Sequence, residues 1–337
     1  MSELLLKTVN MSVAASWLIL AVLGLRFLLK KAPKRVNVLL WGIVAVRLVC
    51  PFSIESTFSL IPSAEIIPEA VMSGASFEIQ TGLDHVDESI NNYLGDLNLD
   101  GVIVPSINTT NAVTVLSVVW LVGIFLLIAY AVISYWRFHR KVDTAVLLRN
   151  NIYQCETVVS PCVLGVILPK IYLPFKMDSK KLEYVIAHEQ AHIRRGDHWW
   201  KPLGFLLLTI HWFNPLVWIA YMLLCRDIEF ACDEKVIKEL NNQDRADYTQ
   251  ALVECSMSRR SLNACPLAFG EVGVKERVKS IMKYRRPALW VNILAVTICA
   301  VVALCFLTNP VKAIEDLTPD DSYVETRPEE TTKPDVV

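Results

Sequence analysis

Four long runs almost free of charge, at about residues 11–29, 36–53, 112–136 and 288–307, limit what this chain can become. Each is close to the roughly 20 residues a helix needs to cross a bilayer. Hydrophobic residues make up 53% of the sequence and its mean hydropathy is +0.40, too apolar for an ordinary soluble domain. The expected fold is therefore a mainly α membrane protein with four transmembrane helices. Arg26 interrupts the first run, and Arg47 lies in the second, where its long side chain is expected to snorkel toward the interface.

Charge sets the expected orientation. Lys30, Lys31, Lys34 and Arg35 separate the first two runs; Arg137, Arg140 and Lys141 follow the third; Lys283, Arg285 and Arg286 precede the fourth. Such clusters stay on the cytoplasmic side of a plasma membrane. The loop at about residues 54–111 has no Lys or Arg and carries acids such as Glu55, Glu65, Asp84 and Asp100, so it is expected outside. This places both termini outside and residues 137–287 in the cytoplasm. The first run lacks a small-residue cleavage site and its positive charges follow it, so it reads as an anchor rather than a removed leader. The 9 Cys show no spacing that suggests a disulfide framework.

The cytoplasmic segment holds His188-Glu189-Gln190-Ala191-His192, an H-E-x-x-H pattern. Four residues are about 1.1 helical turns, so both imidazoles leave one helix face with Glu189 beside them. Zinc accepts imidazole nitrogen, a catalytic zinc keeps a coordination position open, and a neighbouring carboxylate is the natural general base. The lead-in from Lys181 to Ala187 has no Gly or Pro, and Gly196 follows Arg194-Arg195 where a helix should stop.

Downstream candidates for a third ligand are His198, His211 and the acids of 226–234. Glu229 and Asp233 are four apart and share a helix face, so Glu229 is expected to bind the metal and Asp233 to orient a histidine. Cys232, beside them, reads as a small buried residue. Between the two halves of this site, residues 199–225 are apolar enough to suggest a fifth crossing. A crossing would put lipid between Glu229 and His188. Pro202 and Pro215 offer the alternative of two short pieces in a helical hairpin turning at Asn214-Pro215, in or against the inner leaflet. Trp199, Trp200, Trp212, Trp218 and Tyr221 suit an interface or a packed core equally.

Residues 152–159, 163–167 and 170–173 read as short strands, so the cytoplasmic part is α+β, with a strand ahead of the metal helix able to hold an extended substrate. Residues 244–260 and 272–284 read as amphipathic helices whose basic residues face water or lipid.

The sequence Val158-Val159-Ser160-Pro161-Cys162-Val163-Leu164-Gly165, then Pro169 to Pro174, the H-E-x-x-H helix, Trp212 to Trp218 and Glu229-Phe230-Ala231-Cys232-Asp233 resembles the BlaR/MecR-type membrane metallopeptidases. These are gluzincin-like signal-transducing antirepressor proteases of beta-lactam antibiotic resistance. The resemblance is detailed over about residues 150–240. It implies Zn2+ bound by His188, His192 and Glu229, catalysis by Glu189, and a domain at 137–287 inserted between the third and fourth spans. It also implies a protein substrate, such as a cytoplasmic repressor or the chain itself. Those relatives carry a penicillin-binding sensor after the fourth span, whereas here residues 308–337 are rich in Pro, Asp and Glu, as in a disordered acidic tail. Ser280 to Lys283 fits Ser-x-x-Lys but has no Lys-Thr-Gly partner. A quality-control membrane protease and a non-catalytic receptor are the competing readings. No direct nucleic-acid binding is expected, and a homodimer is compatible with everything above.

Overall fold

The computed structural model of the chain describes residues 2–50, 54–55, 85–89, 92, 109–175, 177–258 and 273–309. Most of the expected acidic outer loop and nearly all of the acidic tail lie outside them. Helix α1 (Ser2–Leu28) runs through a 3-10 turn into α2 (Lys34–Val49), and α3 is Thr109–Lys141. Four strands follow: β2 (Val146–Arg149), β3 (Ile152–Cys155), β4 (Cys162–Leu164) and β5 (Lys170–Pro174). Then come α4 (Ser179–Arg195), α5 (Asp197–Ile210), α6 (Pro215–Ile237), α7 (Asn242–Ser258), α8 (Val274–Met282) and α9 (Leu289–Leu307). Two residues past α2, β1 (Ile54–Glu55), pair in parallel with two past α9, β6 (Thr308–Asn309).

Among the described residues, three helices are long and apolar enough to cross a membrane: Ser2–Lys31, Ala112–Lys141 and Leu289–Leu307. The second expected span differs. Helix α2 has 16 residues and ends ahead of Pro51, so at about 1.5 Å per residue it falls short of a hydrocarbon core about 30 Å thick. Arg47 is only 7% exposed, so its side chain is packed inside the protein and does not reach outward.

The stretch from Trp199 to Cys225 is two helices, α5 and α6, packed together and joined at residues 211–214. Pro215 stands at the start of α6, where a missing N–H costs nothing, and Asn214 caps that end by accepting a 2.9 Å bond from the Leu216 N–H. Pro202 cuts nothing. It sits inside α5 near its start, and the break comes nine residues later.

One face of this hairpin packs among the other helices. Leu18 of α1, Leu40 of α2, Leu208 of α5, Tyr221 and Ile228 of α6 and Ala295 of α9 share one apolar core. Polar groups at the hairpin tip find partners on three other helices. The Asn214 side-chain N–H2 donates to the hydroxyls of Ser12 (2.8 Å) and Ser16 (2.9 Å) on α1. His211 Nε2 lies 3.3 Å from the Leu48 carbonyl on α2, and the Trp120 indole of α3 donates 2.8 Å to the Ile210 carbonyl. Gly123 of α3 leaves no room for a Cβ against the Trp212 ring. The aromatics therefore divide: Trp199 is 55% exposed, whereas Trp212 packs on α3 and Tyr221 is buried against Phe205.

A second core forms where β3 and β5, paired in parallel, meet α4 through Ile152, Ile171, Leu173, Val185 and Ile186. The strand order is β2-β3-β5-β4, so β4 ends the sheet among the described residues, with β2, unforeseen from sequence, at the other end. The apolar side of α4 is thus held by the sheet. Its other side is left for α6.

Candidate metal centre

Helix α4 has clear local causes. Asp178 caps it by accepting from the Lys180 N–H, and Gly196, at φ 73°, closes it in the left-handed conformation that glycine adopts without steric cost. Between those ends, Val185 and Ile186 face the sheet core while His188 and His192 face α6. Glu229 projects from α6 onto the same point: its oxygens lie 3.5 Å from His188 Nε2 and 3.6 Å from His192 Nε2. The two Nε2 atoms are 3.2 Å apart with their rings nearly perpendicular, at 87°. All three side chains are buried, and their donor atoms lie within 4.8 Å of one another. Burying two imidazoles and a carboxylate this close together is costly unless an ion gathers them, so the donor set fits a metal.

Each donor is held from behind. Asp197 Oδ2 lies 2.9 Å from His192 Nδ1, and the Cys232 thiol donates 3.1 Å to that same carboxylate. Behind His188, Tyr248 of α7 is interposed: its hydroxyl is 2.9 Å from His188 Nδ1 and donates 2.6 Å to Asp233 Oδ1. Asp233 thus reaches His188 mainly through Tyr248, its own oxygen standing 3.4 Å from Nδ1. Lys201 of α5 donates 3.0 Å to Glu229 Oε1. Arg277 of α8 grips Asp233 with two N–H···O bonds of 2.8 and 2.7 Å and places Nη1 3.3 Å from Glu229 Oε2. Glu189 is 4% exposed and lines a cleft of about 400 Å³, open mouth included, together with His188, Tyr248, Arg277 and the apolar Val185 and Leu252.

Sequence spacing singles out His188, Glu189, His192, Glu229 and Asp233, and the fold brings all five together. His198 and His211 take no part in the cluster. Asp197, Lys201, Tyr248 and Arg277 carry no sequence signal that points to the site. Arg277 stands on a helix expected to turn its basic residues outward, yet it is 8% exposed. Cys232 is buried as expected, but it also bonds to the partner of His192.

The electrostatics are those of a site short of positive charge. Burial raises the Glu229 pKa, but Lys201 and His192 outweigh it and hold the carboxyl well below the usual carboxylate range. Burial likewise works against charge on His192. The Glu229 and Asp197 carboxylates overcome it and hold that imidazole well above its ordinary value. Burial pushes the Cys232 thiol up to about 11, so it stays protonated and able to donate. Metal ligation needs neutral imidazole. With its pKa raised, His192 holds its proton more firmly than a free imidazole and must release it on binding. Metal affinity should therefore climb as pH rises toward that raised pKa, and calorimetry in buffers of different ionisation enthalpy should register at least one proton released. No proton release at pH 7 would contradict a charged His192.

Tyr248→Phe removes the only hydroxyl between Asp233 and His188 among the described residues. Loss of such outer support weakens metal sites about 10–100-fold, and competition with a chromogenic chelator should show a drop of that size. Unchanged affinity would mean that Asp233 orients His188 unaided.

The fold and this site together define a membrane-helix protein with a buried His-His-Glu centre built on an H-E-x-x-H helix. Its residues 6–281 match the model of the BlaR1 peptidase M56 family, and the chain belongs to that family. It is similar to the methicillin resistance mecR1 protein of Staphylococcus aureus, with 29% identity over 160 residues, 44% of this chain and 27% of that protein. It is also similar to the regulatory protein BlaR1 of Bacillus licheniformis, with 30% identity over 158 residues (44% and 25%). The regulatory protein BlaR1 of Staphylococcus aureus matches at 26% over 151 residues (41% and 25%). The match spans about a quarter of the length of these relatives.

Proposed function

We propose that this protein is an integral-membrane zinc endopeptidase whose site, on the cytoplasmic side, cleaves a cytoplasmic protein as one step of transmembrane signalling. The substrate is a transcriptional repressor, as the resemblance implies, or the chain itself. The observation that carries this reading is the convergence of His188, His192 and Glu229 beside a cleft lined by Glu189. Two imidazoles and one carboxylate are a donor set of catalytic zinc, which prefers three protein ligands and an open position. A structural zinc would be closed by a fourth side chain.

This reading keeps four crossings, the second at about residues 36–53, a run longer than the 16 residues of α2 itself. The basic clusters then fall on one side, which is the support for a cytoplasmic catalytic domain at 137–287 and for both termini outside.

Zinc, when bound, supplies a Lewis acid that polarises the scissile carbonyl and makes water acidic. The protein groups do the rest. Glu189 takes the proton from the attacking water and returns it to the leaving nitrogen. Tyr248 and Asp197 hold the two imidazoles with Nε2 turned inward, and Lys201 holds one Glu229 oxygen. Val185, Ala251 and Leu252 give the cleft an apolar wall for a substrate side chain and keep water out.

The purified full chain should contain one zinc per molecule by metal analysis. Proteomics of cells expressing it should show a cytoplasmic protein cleaved, and the products should vanish when the metal ligands His188 and His192 are both replaced by alanine. A preparation that neither holds nor takes up zinc would end this reading.

A further inference from the structure

We propose that Arg277 is a catalytic residue that donates a hydrogen bond to the scissile carbonyl oxygen as it becomes an oxyanion. The proposal rests on the endopeptidase reading above and deepens it. Four polar side chains line the cleft among the described residues: His188, Glu189, Tyr248 and Arg277. His188 directs Nε2 at the metal position, and Glu189 is needed as base. The single O–H of Tyr248 already goes to Asp233. Arg277 alone has an N–H to spare. Of its five, Nε–H and one Nη2–H are taken by Asp233, the other Nη2–H faces His188 Nε2 at 3.4 Å, and one Nη1–H faces Glu229 at 3.3 Å. The second Nη1–H is left, and the Nη2–H facing His188 would be released once Nε2 binds metal.

The paired bonds to Asp233 fix the plane of the guanidinium, so this donor is set before substrate arrives. Preorganised donors of this kind, aimed at developing charge in a water-poor site, are among the strongest contributors to acyl-transfer catalysis. In the step itself, water oxygen bonds to the carbonyl carbon while Glu189 takes the water proton. The carbonyl π pair moves onto oxygen, where Arg277 meets it. Collapse restores the C=O bond and breaks C–N, and the nitrogen leaves with the proton from Glu189. Nothing is oxidised or reduced.

Two probes separate this role from simple support. N-phosphoryl-leucinamide presents a tetrahedral anion and an apolar side chain, whereas acetohydroxamate is a flat metal ligand that needs no oxyanion donor. With the full-length, zinc-loaded protein in detergent, Arg277→Gln should bind the phosphoryl probe about 100- to 1000-fold more weakly, the range found for losing one oxyanion donor. Acetohydroxamate binding should be unchanged. Arg277→Lys keeps the charge without the planar fork and should fall between wild type and Arg277→Gln. Once a substrate is in hand, kcat should drop with KM nearly constant. Equal losses for both probes would make Arg277 a structural support only, and an unweakened phosphoryl probe would also overturn the assignment. If neither probe binds the wild type, the metallopeptidase reading itself fails and this one falls with it.

Discussion

Glu189→Gln should abolish cleavage while the protein keeps its metal. The substituted side chain has nearly the same shape and still fits the 4% exposed position beside His188, but it cannot take a proton from water. General acid–base groups contribute about 10²- to 10⁴-fold to rate. Glu189 serves twice, as base and then as acid, so the upper end of that range is expected. Glutamine leaves both histidines, Glu229 and their outer partners in place, so zinc content and thermal stability should match wild type. The check is a cleavage assay beside metal analysis on the same preparation. Loss of both activity and zinc would make Glu189 a ligand or a folding determinant instead of the base. Full retained activity would remove it from the mechanism.

Asp227→Ala is expected to cause the largest loss of stability. Asp227 stands two residues ahead of Glu229 on α6, only 1% exposed, and accepts 2.7 Å from Arg26 of α1 and 2.8 Å from the Trp41 indole of α2. Five residues past Glu229, Glu234 accepts 2.7 Å from the backbone N–H of Lys34 at the start of α2. Two helices of the bundle are thus bonded to the helix that carries the third metal donor. Removing Asp227 strands a largely buried guanidinium and an indole N–H. Breaking a buried pair from one side costs about 3–5 kcal/mol. Thermal unfolding in detergent should show the loss, and Asp227→Asn, which keeps an acceptor for Trp41, should be milder. Because α6 would then be less firmly seated, zinc affinity should fall along with stability. A variant as stable as wild type would show that Arg26 and Trp41 find other partners.

How much of the fold and the site is legible in the sequence depends on distance along the chain. The H-E-x-x-H helix obeys local rules. Its cap residue, its helical spacing, its freedom from Gly and Pro and its closing Gly196 all lie within twenty residues of one another, and the structure shows a helix over Ser179–Arg195. Glu229 and Asp233 are legible for the same reason, being one turn apart on one face. The hairpin break at Asn214-Pro215 is written in two residues that make a good helix start. Where local rules compete with packing they serve less well. Arg47 has the sequence context of a snorkelling residue and is buried; Pro202 has that of a break and lies inside α5.

The sequence by itself determined which segments prefer lipid and which helix face presents two imidazoles and a carboxylate, because both follow from side-chain chemistry repeated at fixed spacing. Only the tertiary structure decided what stands around those groups. Tyr248 is 60 residues from His188, Arg277 is 44 from Asp233 and Arg26 is 201 from Asp227. No periodicity links residues so far apart. They meet because α4, α6, α7 and α8 bury their apolar faces against one another and the sheet, and buried charges then settle on whichever partners that packing brings within hydrogen-bond reach.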